Sequence, residues 1–263
     1  MRPLRAFHSA VAMYTWLPVC KHDWADRDFP DGLVAFPWLG AVLGAAVGLL
    51  GWVVSVASGS SLLGASLALG TVAYVTGAMH LDGTADVADA LGSRKPAEQA
   101  RAIMKQSDIG PMGVVSLLVV LLLEAASLGV APPRTWPVLV AVGMAAGRVT
   151  PLAAALPGRG EEPAPGTLSA LVAGRIGTVG LWGSRVAVLG VCGAATWLSL
   201  GWQAAACWSG VVVAAWLLAA CWQRHLLRRL GRLNGDCYGS LIELTQLTVW
   251  LGIALTVNLI GVT

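Results

Sequence analysis

Three carboxylates recur in the run His80-Leu81-Asp82-Gly83-Thr84-Ala85-Asp86-Val87-Ala88-Asp89. Asp82, Asp86 and Asp89 are spaced four and then three residues apart, which places all three on one face of a helix. The chain has only 14 Asp and Glu residues in 263, and this run follows a long apolar stretch. Carboxylates beside hydrocarbon are costly to desolvate and are kept where they have work to do. Oxygen ligands on one helix face suit a hard divalent cation. Mg²⁺ in particular takes one or two carboxylates and completes its shell with phosphate oxygens. The expectation is therefore a Mg²⁺ site formed by Asp82, Asp86 and Asp89. Gly83 would let a ligand approach the backbone, and His80 would contact phosphate. The plainer alternative is a solvated helix start whose acids complement the helix dipole.

A second motif repeats this outline. In Gly235-Asp236-Cys237-Tyr238-Gly239-Ser240-Leu241-Ile242-Glu243, Asp236, Ser240 and Glu243 have the same four-and-three spacing. Glu243 falls inside an apolar stretch, so it needs a partner, either a metal or a base such as Arg148. Gly235 and Gly239 add backbone access. Two acidic helix faces meeting on one side of a membrane would make a di-metal or metal-plus-base site. Between the motifs, Arg101 and Lys105 are one helical turn apart, and Ser107, Gly110 and Gly113 interrupt the helix. A basic face beside carboxylates is what a di- or triphosphate requires. Glycine-broken backbone can also offer N–H groups to phosphate. Basic residues in such a loop also serve simply to orient a membrane protein. The sequence contains no Walker A motif, no helix-opening GxGxxG and no HExxH, so nucleotide-binding α/β folds and zinc proteases have no support.

The elements that must position these groups follow from composition. Hydrophobic residues make up 56% of the chain and charged residues 12%, about half the charged share of a soluble domain. Mean hydropathy is +0.71. The fold class is all-α, a polytopic membrane protein read as one catalytic domain over residues 1–263. The net charge of +3 gives no reason to expect nucleic acid as a partner. Arg2 and Arg5 are not followed by a long apolar run, so no signal peptide is expected. The five cysteines form no CxxC pair and read as small buried hydrophobes.

Taking about 20 residues per span, seven spans are expected, at Leu33–Val56, Leu62–Met79, Pro111–Val130, Trp136–Leu156, Thr178–Leu200, Ala204–Trp222 and Ser240–Ile260. Basic residues gather before span one (Arg2, Arg5, Lys21, Arg27) and after span two (Arg94, Lys95, Arg101, Lys105). They gather again after span four (Arg159, Arg175) and span six (Arg224, Arg228, Arg229, Arg232). The opposite loops carry only Arg134. Positive residues mark the cytoplasmic side, which puts the N-terminus and every polar motif there. The acidic run would sit at the inner end of span two and Asp236 at the inner start of span seven. Arg148 would lie inside span four. Residues 2–20 read as mildly amphipathic and suited to the interface. Gly40, Gly44, Gly48, Gly51, Gly143 and Gly147 allow close helix packing. Glu124, in mid-span three, has no assignment from sequence.

The run from His80 to Asp89 resembles the signature of the cobalamin synthase family, the adenosylcobinamide-GDP ribazoletransferases. Four further blocks agree in order: Tyr14-Thr15-Trp16-Leu17-Pro18, Phe36-Pro37-Trp38-Leu39-Gly40, Met104-Lys105-Gln106-Ser107-Asp108-Ile109-Gly110, and Gly235 to Glu243. One position departs: Gln106 stands where the family usually has an acid, with Asp108 two residues on. The resemblance implies a Mg²⁺-dependent membrane enzyme of the bacterial inner membrane, with its active site facing the cytoplasm. Adenosylcobinamide-GDP would be the donor and α-ribazole or its 5′-phosphate the acceptor, with GMP leaving. The catalytic group would be Asp82, Asp86, Lys105, Asp236 and Glu243. His80, Gly83, Arg101, Ser107, Arg148 and Gly239 would bind substrate. Membrane lipid would surround the chain, and its oligomeric state is open. Two other readings stand beside this one. A CDP-alcohol phosphotransferase has similar chemistry, but its Asp-Gly-x-x-Ala-Arg start and longer acid spacing are not matched. A cation-coupled transporter would place its carboxylates near the midplane.

Overall fold

The computed structural model describes residues 3–19, 24–158 and 166–257. Arg2, Cys20, Lys21, Arg159 and residues 258–260 of the expected last span lie outside them. Among the described residues, all regular structure is helical. The helices are α1 (Pro3–Tyr14), α2 (Asp28–Ser58), α3 (Ser61–Val75), α4 (Met79–Gly92), α5 (Ala97–Ile103), α6 (Pro111–Val130), α7 (Trp136–Ala154), α8 (Leu168–Val172), α9 (Thr178–Leu200), α10 (Trp202–Leu230) and α11 (Gly235–Val257). Among the described residues, six stretches are each long and apolar enough to cross a membrane: α2, α6, α7 with its preceding turn, α9, α10 and α11. The chain is a multi-pass membrane protein.

Span two departs from expectation. The helix ends at Val75, and α4 leaves it at 88° after a three-residue break. At 15 residues, α3 is roughly 22 Å long, shorter than a hydrocarbon core of about 30 Å. The acids therefore lie on a separate helix set across α3, not on the end of a straight span. The break is tightly built. Gly77 and Ala78 both have left-handed backbones, φ 60° and 55°, and Ala78 N–H donates to Ala73 O at 2.7 Å, which closes the end of α3. Trp16 N–H donates to Val75 O at 2.8 Å. The Trp16 indole lies so close that a Cβ on Gly77 would sit 2.3 Å from its Nε1. The segment after α1 thus braces this turn through Trp16, although Trp16 and Gly77 both remain exposed.

Helix α7 is central, with 78% of its apolar window buried, against 22% for α6 and for α9. It packs along α2, where Gly40, Gly44 and Gly48 face the α7 backbone. Helix α1 does not lie free at the interface. It packs on α2 through Ala6, Ala10 and Tyr14 and is tied by Arg5 to the buried Asp28 carboxylate at 2.6–2.7 Å. Cys192 and Cys237 are buried as expected, whereas Cys221 is exposed.

Candidate active site at the crossing of α4 and α11

Asn234 sets the start of α11. Its side chain accepts from Cys237 N–H at 3.1 Å and donates to Asp236 Oδ2 at 2.6 Å. One residue thus caps the helix and fixes the Asp236 carboxylate. Helix α11 then crosses α4 at two glycines. A Cβ on Gly83 would lie 2.7 Å from Asp236 Cα and O, and one on Gly239 would lie 3.0 Å from His80 O. Gly83 is therefore occupied by the neighbouring helix and does not face a ligand. Gly239 does both, touching α4 and lining a cavity.

The crossing gathers carboxylates. Asp82 is exposed, while Asp86, Asp89 and Asp236 are half-buried. Partial burial holds the Asp86 carboxyl up to about 7, helped by the negative charges of Asp236, Asp82 and Asp89. Repulsion of that kind is relieved by a cation. Among the described residues, no three His, Cys, Asp or Glu groups enclose an ion by themselves. A hard ion here would thus take part of its shell from elsewhere.

Asp89 has a different occupation from the one expected. Its two oxygens accept the backbone N–H groups of Gly110 at 2.7 Å and Gly113 at 2.9 Å. These are orphan donors at the start of α6, where a negative charge also meets the helix dipole. Asp89 pins the 104–110 loop and α6 to α4. Lys105 and Ser107 stand exposed on that loop. Helix α5 ends at Ile103, so Arg101 and Lys105 do not share a helix face. Arg101 instead donates to the carbonyl of Leu230 at the end of α10.

A cavity of about 210 Å³ opens beside the crossing. Its polar lining includes His80, Asp82 and Asp236, and its apolar lining includes Tyr14, Leu33, Phe36, Pro151, Leu168, Val172 and Ile242. The Tyr14 and Phe36 rings stack at 3.9 Å between centroids. Neither Glu243 nor Arg148 lines this cavity. Both are fully interior, behind it. Arg148 lies over Phe36 at 5.3 Å and donates to Met144 O at 3.1 Å and Gln246 Oε1 at 3.4 Å. Gln246 Nε2 in turn donates to Glu124 Oε1 at 3.1 Å and to Glu243 Oε2 at 3.4 Å, and Glu243 Oε1 faces His80 Nδ1 at 3.8 Å. The substrate contact expected of Arg148 is replaced by a buried charge network that includes Glu124. Gln246 joins its members and was not singled out from sequence. Its signal was its position, three residues after Glu243 on the same face. Asn234, and Ser169 in the cavity lining, carry no motif of their own; Tyr14 opens a recognisable block, but nothing in that block points to a cavity wall.

The cobalamin-5-phosphate synthase family matches the chain over residues 6–254. The adenosylcobinamide-GDP ribazoletransferase of Brevibacillus brevis is 31% identical over 260 residues, covering 94% of this chain and 97% of the relative. That of Frankia casuarinae is 31% identical over 95% of this chain and 94% of its own. That of Novosphingobium aromaticivorans is 33% identical over 88% and 87%. No solved structure matches the chain with significance.

Proposed function

We infer the reaction from a plain premise: the chain belongs to the cobalamin-5-phosphate synthase family. It is an adenosylcobinamide-GDP ribazoletransferase, acting at the end of cobalamin assembly. Adenosylcobinamide-GDP is the donor, and α-ribazole or its 5′-phosphate the acceptor. A ribose hydroxyl of the acceptor attacks the phosphorus joined to cobinamide. The pyrophosphate P–O bond breaks, GMP leaves, and adenosylcobalamin or its 5′-phosphate forms.

The observation that carries this reading is the crossing of α4 and α11, which brings Asp82 and Asp236 to one cavity, with Asp86 close enough to feel the charge of both. The crowded carboxylates fit Mg²⁺ held by Asp82 and Asp86, with Asp236 close by and pyrophosphate oxygens completing the shell. Bound Mg²⁺ would offset charge on the pyrophosphate and on the leaving GMP. Asp236, fixed by Asn234, orients the attacking hydroxyl and accepts its proton. The loop that Asp89 pins carries the exposed Lys105 and Ser107, which would meet the phosphate when substrate binds. Glu243, Gln246, Glu124 and Arg148 hold His80 and the back of the cavity in place. The distribution of basic residues supports a cytoplasmic N-terminus and a site open to the cytoplasm at the inner membrane.

Purified protein in detergent tests this directly. GMP should appear from adenosylcobinamide-GDP only when ribazole or its phosphate and Mg²⁺ are both present. GMP release that ignores the ribazole, or transport across vesicles without GMP release, would overturn the assignment.

A further inference from the structure

We propose that the 210 Å³ cavity is the seat of the acceptor nucleoside, with its apolar bicyclic base inward, and that the corrinoid docks outside it. This rests on the transferase reading above.

Size makes the first division. Pockets for drug-sized ligands run from about 300 to 1,000 Å³, and this one is smaller. It matches a single nucleoside. A corrinoid, with its macrocycle and fringe of side chains, is several times larger. Wall chemistry makes the second. The parts small enough to enter are the ribazole and the guanosine and adenosyl ends of the donor, and adenine, like guanine, carries an exocyclic amine on its edge. Guanine carries a ring N–H, an exocyclic amine and a carbonyl along its edge. Leu33, Phe36, Pro151, Leu168, Val172 and Ile242 give those groups no partner; apart from the two acids, Tyr14, His80, Ser169 and Tyr238 are the polar side chains of the lining, and each guanine group they fail to reach would be left unpaired, which a site rejects strongly. A dimethylated benzimidazole presents methyl groups and one bare ring nitrogen, and fits such walls.

Charge makes the third. The acidic side chains in the lining, Asp82 and Asp236, both belong to the helix crossing. Carboxylates accept hydrogen bonds from ribose hydroxyls. The sugar therefore points to the crossing and the base away from it. This orientation also sets the attacking hydroxyl beside the carboxylates expected to hold the metal and the donor's pyrophosphate. Helix α8 contributes Leu168 and Val172 to the apolar wall, and is the wall we assign to specificity for the base.

Two measurements test the seat. In steady-state assays, Val172→Phe should raise KM for α-ribazole about tenfold or more while KM for adenosylcobinamide-GDP stays within about twofold. If Val172→Phe does not fold, Leu168→Trp, at a partly exposed position of the same helix, carries the same expectation. In equilibrium dialysis without Mg²⁺, the wild-type protein should retain α-ribazole and not guanosine, and the variant should lose the ribazole. A rise in KM for the corrinoid alone, an equal rise for both substrates, or retention of guanosine in place of ribazole would overturn the proposal. Failure of the wild type to release GMP at all would instead sink the transferase reading, and dialysis would still report on the cavity.

Discussion

Gly83→Ala should disable the enzyme by moving a helix rather than by removing a functional group. The new Cβ would sit 2.7 Å from Asp236 Cα and O, whereas ordinary contact begins near 3.4 Å. Those neighbours are backbone atoms and cannot rotate away. Helices α4 and α11 must therefore separate by some 0.7 Å, the difference between the two distances. That displaces Asp82 and Asp86 relative to Asp236. A misplacement of about 1 Å can cost roughly 10²-fold in rate, so kcat should fall about 10- to 100-fold. Overpacking by one methyl also costs stability, about 1–3 kcal/mol, and a control must separate the two effects. Gly48→Ala supplies it: its Cβ would lie 2.4 Å from Trp136 O at the packing of α2 on α7, away from α4. It should lower the unfolding temperature comparably while leaving kcat nearly intact in the folded fraction. The assay is GMP release at saturating substrates, normalised to folded protein by size-exclusion chromatography. A folded Gly83→Ala enzyme with kcat within twofold of wild type would refute the reasoning, as would an equal kcat loss in Gly48→Ala.

Other perturbations separate the roles further. Asp89→Ala should cost about 1–2 kcal/mol by uncapping α6, read as a lower unfolding temperature, with turnover at saturating Mg²⁺ reduced only a few-fold; Mg²⁺ affinity falling a hundredfold would make Asp89 a metal ligand instead. Gln246→Leu leaves Arg148, Glu124 and Glu243 short of partners at 3.1–3.4 Å. At roughly 1–3 kcal/mol per unsatisfied buried group, it should destabilise the protein strongly in thermal unfolding by circular dichroism. Burial, with the charges of Asp236, Asp82 and Asp89, pushes the Asp86 carboxyl up to about 7, and its protonated form would compete with the ion. Apparent Mg²⁺ affinity in the GMP-release assay should therefore be nearly flat above pH 8 and weaken toward tenfold per unit below about 6. An affinity constant from pH 5.5 to 8 would show that Asp86 does not take part.

Much of the site was legible in the sequence, because its acids stand out against hydrocarbon and their spacing reports helix faces directly. Asp82 and Asp236 line one cavity, and Asp86 lies within reach of their charge. The bend before α4 was not legible: residues 61–79 are nearly uniformly apolar, and the break depends on Trp16, about sixty positions away. Asp89 has the same spacing credentials as its neighbours; only the approach of Gly110 and Gly113 reveals its use. Sequence offers Arg148 as a partner for Glu243 and gives Glu124 no assignment, yet the common partner of all three is a neutral amide, which hydropathy does not flag. Gly83 looked like a ligand contact because a glycine's neighbour, helix or substrate, is invisible from one chain's order of residues.

The direct test of a shared site across α4 and α11 is a double-mutant cycle on Asp82 and Asp236, read as GMP release at saturating Mg²⁺. If the two carboxylates serve one reacting pyrophosphate, Asp82→Asn and Asp236→Asn should each cost about 10²-fold or more, and the double variant little beyond the worse single. Near wild-type turnover in either single variant, or losses that simply multiply, would contradict it.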